Sequence, residues 1–90
     1  MTADYTSKRY DGAPMKAEDA MLLIGAEFHS ATKKFGEFAS PHEGYAIIKE
    51  EVDELWDEVK ANNRAAQIEE AIQVGAMAMR FLVDMGVTDE

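Results

Sequence analysis

The chain has no cysteine. Disulfide staples and thiolate metal sites are therefore both excluded, and any metal it holds must sit on oxygen or imidazole ligands. No apolar run reaches 18 residues, and no basic-then-apolar leader opens the sequence. Both absences speak against a membrane span or a secretory signal and lead to the expectation of a cytoplasmic protein. Basic residues are scarce, with 9 Lys and Arg against 18 Asp and Glu and a formal net charge of -9. A nucleic-acid polymer demands a basic surface, so it is not an expected partner. A small phosphate-bearing ligand stays compatible with this charge if divalent cations stand between its phosphates and the carboxylates. Strand signals are also missing: β-branched residues are scattered, and no alternating run is bounded by hairpin turns. Neither an internal repeat nor a low-complexity segment is present.

What is there is helical periodicity. Ninety residues make one small domain. Residues 1–14 carry Gly12 and Pro14 and no period, and read as an extended arm before a helical domain over 15–90. Met21, Ile24, Phe28, Ala31 and Phe35 recur at alternating spacings of three and four, and Gly36 supplies a stop. Ser40, Pro41 and Glu43 form a capping box with proline at the first helical position. Tyr45, Ile48, Val52, Leu55 and Val59 continue the stripe, and Asn62 and Asn63 end that helix near Ala61. A third helix runs from Arg64 to Met85, with Gly86 after it. Ile68, Ile72, Gly75, Ala76, Met79, Leu82 and Val83 make one face, while Val74, Met77, Ala78 and Phe81 make much of the other side apolar too. A helix apolar nearly all round needs cover nearly all round. Three helices do not easily supply it, so the fold expected is all-α, with three main helices completed into a bundle by a homo-oligomer, a dimer or a tetramer.

The chemistry concentrates in "KEEVDELWDEVK", residues 49–60. At about 100° per residue, Glu51, Glu54 and Glu58 share a sector beside the apolar stripe, while Glu50, Asp53 and Asp57 face away. Like charges three and seven residues apart repel, and a hard divalent cation reverses that penalty. On the third helix Glu70 and Gln73 project together and interrupt the face of Met77 and Phe81. A carboxylate there must be paired or hold a metal. Arg80 lies about 15 Å further along the same helix, too far to pair with it directly; Lys33, Lys34 and Arg64 are the other cations at hand.

These two acidic patterns resemble the signature of the MazG-like all-α nucleoside triphosphate pyrophosphohydrolases, EExxE on one helix and ExxD on the next. Here the first half is Glu50-Glu51-Val52-Asp53-Glu54 and the second is Glu70-Ala71-Ile72-Gln73, ExxQ rather than ExxD. "EFHSATKKFG" and "MGVTDE" are similar to neighbouring family segments, so the likeness covers roughly residues 20–88. The resemblance implies an oligomeric helical bundle that uses Mg²⁺ (or Mn²⁺) to hydrolyse a nucleoside triphosphate to the monophosphate and pyrophosphate. By position it implies Glu51, Glu54 and Glu70 as metal ligands with Gln73 in the fourth place. Glu50 would be a further ligand or the group that orients water, and Glu50 or Glu54 the proton acceptor. An amide oxygen at Gln73 carries no charge, which weakens the metal site unless Glu58 compensates. Lys33, Lys34, Arg64 and Arg80 are candidates for the outer phosphates, and His29 and Trp56, with Phe28, for the base. Each has a plainer reading: solvated cations, a surface histidine like His42, a core phenylalanine, a tryptophan at a subunit interface. Two further functions stay open from the residues alone, a helical oligomer without catalysis acting as a binding or scaffold module, and an acidic adaptor for another protein.

Overall fold

A computed structural model describes residues 14–86. Among these residues there are three α-helices and no strand: α1 (Ala17–Phe35), α2 (Pro41–Lys60) and α3 (Arg64–Met85). Of the expected arm over 1–14 only Pro14 is described, and residues 87–90 of the expected domain also lie outside the described set.

Each boundary has a local cause. Gly36 closes α1 in the left-handed region at φ 75°, a conformation cheap only for glycine, and its N–H donates to Thr32 O at 2.8 Å. Ser40 caps α2: its Oγ accepts from the Glu43 N–H at 3.1 Å, and Pro41 takes the first helical position. Glu43 answers by accepting from the N–H of Ala39, one residue ahead of the cap itself. The connection from α2 to α3 is three residues long (61–63), with Asn62 left-handed at φ 61°, a region asparagine tolerates. Asn63 then caps α3 by accepting from the Ala66 N–H at 3.1 Å.

α3 packs against both other helices, whose backbones do not reach each other. The core is built around it from Phe28 and Ala31 of α1, Phe38 of the first connection, and Ala76 and Met77 of α3, with Ile47, Ile48 and Phe81 packed alongside. The last two turns of α3 also hold the connection between α1 and α2. Arg80 Nη2 donates to Gly36 O at 2.9 Å, and the Phe38 N–H donates to Asp84 Oδ2 at 2.9 Å. The Arg80 guanidinium lies 4.2 Å from the centroid of the Phe38 ring, and the residue is only 4% exposed.

α2 sits differently from its apolar pattern. Tyr45 is 63% exposed and Val52 and Val59 are each 43% exposed, although the stripe places them in a core. The side turned toward α3 carries Gly44, Ile47, Ile48, Glu51 and Leu55. Gly44 explains the turn: a Cβ there would stand 2.6 Å from Phe81 Cδ2 and 3.1 Å from Phe38 Cδ2, so only a glycine lets the start of α2 come this close. Met21 and Phe35 of α1 and Leu82 and Val83 of α3 are likewise exposed within the single chain.

Gly44→Ala is expected to destabilise the fold by about 1–3 kcal/mol through overpacking, against the roughly 1 kcal/mol that alanine gains in an open helix. Gly25→Ala in α1, where an added Cβ meets nothing within 4 Å, is the internal control and should be neutral or stabilising. Denaturant midpoints of the two variants check this. A Gly44→Ala protein as stable as Gly25→Ala would show that the α2–α3 approach is looser than described.

Candidate metal centre

α2 and α3 form a hairpin whose facing sides each offer acid. Glu51 and Glu54 are i and i+3 on α2, so their side chains leave the helix on one side. Glu70 comes from the second turn of α3 and meets them. One carboxylate oxygen from each of Glu51, Glu54 and Glu70 can be chosen such that all three lie within 4.8 Å of one another. Oxygens that share an octahedral Mg²⁺ stand about 3 Å (cis) to about 4 Å (trans) apart.

The electrostatics show what the arrangement costs without a cation. Burial, first, and then the charge of Glu54 and a hydrogen bond with Glu70, push the Glu51 carboxyl up from 4.5 to about 7. Glu70 is raised by burial and by the charges of Glu54 and Glu58, while its hydrogen bond with Glu51 pulls the other way. Glu70 Oε1 is buried and has no hydrogen-bond partner among the described residues. A buried acceptor without a donor costs about 1–3 kcal/mol. Oxygen ligands, like charges held together and an unpartnered buried oxygen are together the donor set a hard divalent cation takes.

The other residues singled out from the sequence fall around this centre. Glu58 is close enough for its charge to act on Glu70, yet it is not one of the three converging acids. Glu50 is exposed next to Glu51 and lines the same cavity as Glu51 and Gln73. Gln73 is half-buried on α3 and lines that cavity too, whose walls include Glu51 but neither Glu54 nor Glu70. Lys33 and Lys34 are exposed at the end of α1, the latter with its ammonium 5.2 Å from the Phe35 ring centroid. Arg64 is exposed and its Nε donates to Gln67 Oε1 at 3.0 Å. His29 is exposed and meets the buried Phe28 ring edge-on at 5.1 Å. Trp56 is 57% exposed on the outer side of α2, with the Lys60 ammonium 5.6 Å from its centroid. Arg80 is the exception among the cations, being buried between Phe38 and Met77 instead of solvated.

Sequence reasoning missed Phe38, Asp84 and the depth of Arg80. The signal for Arg80 was present: "AMAMRFLV" places one cation in an otherwise apolar turn, where either a snorkelling or a buried arginine fits. Phe38 and Asp84 meet across a separation of 46 residues and left no local pattern.

No protein-family model, no curated protein and no solved structure matches the chain. No helix among the described residues is long and apolar enough to cross a membrane.

The raised carboxyls fix a pH dependence. Below about 4.5, Glu51 is protonated in both folded and unfolded chains and its burial costs nothing. Between 4.5 and about 7 the unfolded chain ionises while the folded one keeps the proton, so stability falls as pH rises; above that the penalty is complete. Thermal melts of the metal-free protein from pH 4.5 to 8 should show this decline, and Glu51→Gln should flatten it. An unchanged slope in Glu51→Gln would assign the decline to other carboxylates.

Proposed function

We propose that the protein is a Mg²⁺-dependent nucleoside triphosphate pyrophosphohydrolase of the MazG-like kind. The observation that carries this reading is the convergence of Glu51, Glu54 and Glu70 from two facing helices around a buried oxygen that lacks a partner. The order of these acids along the chain, EExxE and then a glutamate on the next helix, supports it through the resemblance described above. Glu51, Glu54 and Glu70 hold the cation, and the Gln73 amide oxygen stands in reach of the same cavity. When bound, the cation neutralises the triphosphate and makes water a better nucleophile near neutral pH.

The remaining work belongs to the chain's own groups. Glu50, exposed beside the centre, accepts the proton of the attacking water as its oxygen bonds to the α-phosphorus. The bond from the α-phosphorus to the bridging oxygen breaks, and pyrophosphate leaves with that oxygen. The products are a nucleoside monophosphate and pyrophosphate.

The same reading includes a homo-oligomer. Tyr45, Val52, Trp56 and Val59 fall within a stripe of about 60° on the outer side of α2, and all four are exposed in the single chain. A second copy of the chain would cover this stripe together with the exposed ends of α1 and α3, completing a bundle.

Three measurements test these statements. With Mg²⁺ present, pyrophosphate should be released from at least one standard or modified nucleoside triphosphate, and Glu54→Ala should lower the rate by at least about a hundredfold. No turnover across such a screen, with assembly intact, would leave a scaffold without catalysis. Mg²⁺ should raise the melting temperature more at pH 8 than at pH 5, because protons compete for Glu51 and Glu70. Glu70→Gln should abolish that response while making the metal-free protein more stable. Sedimentation should show a dimer or larger, and Trp56→Glu should shift it toward monomer; a wild-type monomer at micromolar concentration would end the oligomer reading.

A further inference from the structure

Arg80 is a buried cation whose donors exceed its acceptors. A guanidinium carries five N–H groups. Here one nitrogen donates to Gly36 O at 2.9 Å and another to the weak acceptor Met77 Sδ at 3.3 Å, while the buried Nε has no hydrogen-bond partner among the described residues. No carboxylate forms an ion pair with it among those residues, although the residue is 4% exposed. Its charge rests on the faces of Phe38, at 4.2 Å, and Phe35, at 6.0 Å. Leaving a buried cation without an anion or a full set of acceptors is costly.

Arg80 lines a cavity of about 410 Å³ that also borders Glu51 of the acid cluster. Ala31, Phe35, Phe38, Ile47 and Met77 give it apolar walls. Glu27, Glu37, Glu43 and Glu50 join Glu51 around it, so carboxylates ring a space with a single cation on its wall. That ring repels a phosphate. It favours a flat, uncharged ring that offers hydrogen-bond acceptors on one edge, for Arg80, and N–H donors on another, for the glutamates. Arg80 stands about 15 Å from Glu70 along α3, a separation on the scale of a nucleotide from base to triphosphate.

We infer that this cavity receives the base of the nucleotide and that Arg80 selects an amino-oxo base, guanine or cytosine. Guanine presents O6 and N7 to an arginine and N1–H and an amino group to a carboxylate; cytosine presents O2 and N3 against its amino group. Adenine and thymine offer no pair of neighbouring acceptors: adenine N7 stands beside its own amino group and thymine O4 beside its own N3–H, so neither takes two guanidinium N–H groups on one edge. This inference rests on the nucleotide reading above, but its test does not depend on turnover.

The test follows the Nε–Hε signal of Arg80 in ¹⁵N-correlated spectra of the full chain without divalent cation, assigned by its loss in Arg80→Lys. dGMP and dCMP should move that signal and bind at least about fivefold more tightly than dAMP and dTMP. Arg80→Lys should erase the preference. Because Arg80 also holds the first connection, Ile47→Phe serves as a second variant: it enlarges a side chain on the cavity wall while leaving Arg80 and its bond to Gly36 O in place, and should abolish binding of all four while the Mg²⁺ response persists. A signal that no nucleotide moves makes Arg80 purely structural and overturns the inference. So does an equal response to inorganic phosphate, or a preference for dAMP or dTMP. Base selection without pyrophosphate release would sink only the proposed reaction, and release without base selection only the present inference.

Discussion

α3 is the constraint on which the rest of the molecule depends. It alone touches both other helices, and their backbones are kept apart by it. Its first half brings Glu70 to the acids of α2, and its second half anchors the connection between α1 and α2 through Arg80 and Asp84. The acid cluster and the cavity are thus set by one rigid rod. Along that rod about 1.5 Å separates successive residues, so the spacing between the two features is fixed by the residue count between Glu70 and Arg80.

The two polar features are complementary in sign and share a debt to solvent. Glu51 and Glu70 set carboxyls where water is partly excluded, and burial together with the neighbouring charge of Glu54 pushes both toward the protonated form. Arg80 holds positive charge deeper still, and the chain responds with aromatic faces instead of a carboxylate. Direct pairing of the two would have satisfied both; the distance along α3 prevents it. A chain selected for stability alone has little reason to keep such groups apart, since apolar residues of similar volume are often as good or better. Gln73, on the wall of the same cavity as Glu51, is a neutral amide and adds no further negative charge there.

Helix placement was legible in the sequence because its determinants are local. Gly36, the Ser40–Glu43 box, the Asn62–Asn63 turn and Gly86 mark boundaries through backbone chemistry that needs no distant partner. That Glu51 and Glu54 leave α2 on one side, apart from Asp53 and Asp57, was legible too, since helical phase alone decides it; Glu50, expected to face away, instead shares a cavity wall with Glu51. The rotation of α2 was not legible. It follows from Gly44 meeting Phe81 and Phe38, residues 37 and 6 positions away, and a period reports the apolar side of a helix without reporting which neighbour that side meets. For the same reason Tyr45, Val52 and Val59 read as interior and stand outside the single chain. Arg80 was visible as a cation in an apolar turn, but its aromatic bed arises from Phe35 and Phe38, far along the sequence.

The three-residue link between α2 and α3 bears on the order in which structure forms. All three converging acids lie within one helical hairpin, and contacts between segments so near in sequence close quickly, with little loop entropy lost. α1 has to dock across a longer stretch of chain. A cation gripped by the hairpin would therefore already be held at the folding barrier. Its presence would lengthen the native lifetime little and would instead accelerate refolding, moving the refolding limb of a chevron and leaving the unfolding limb nearly still.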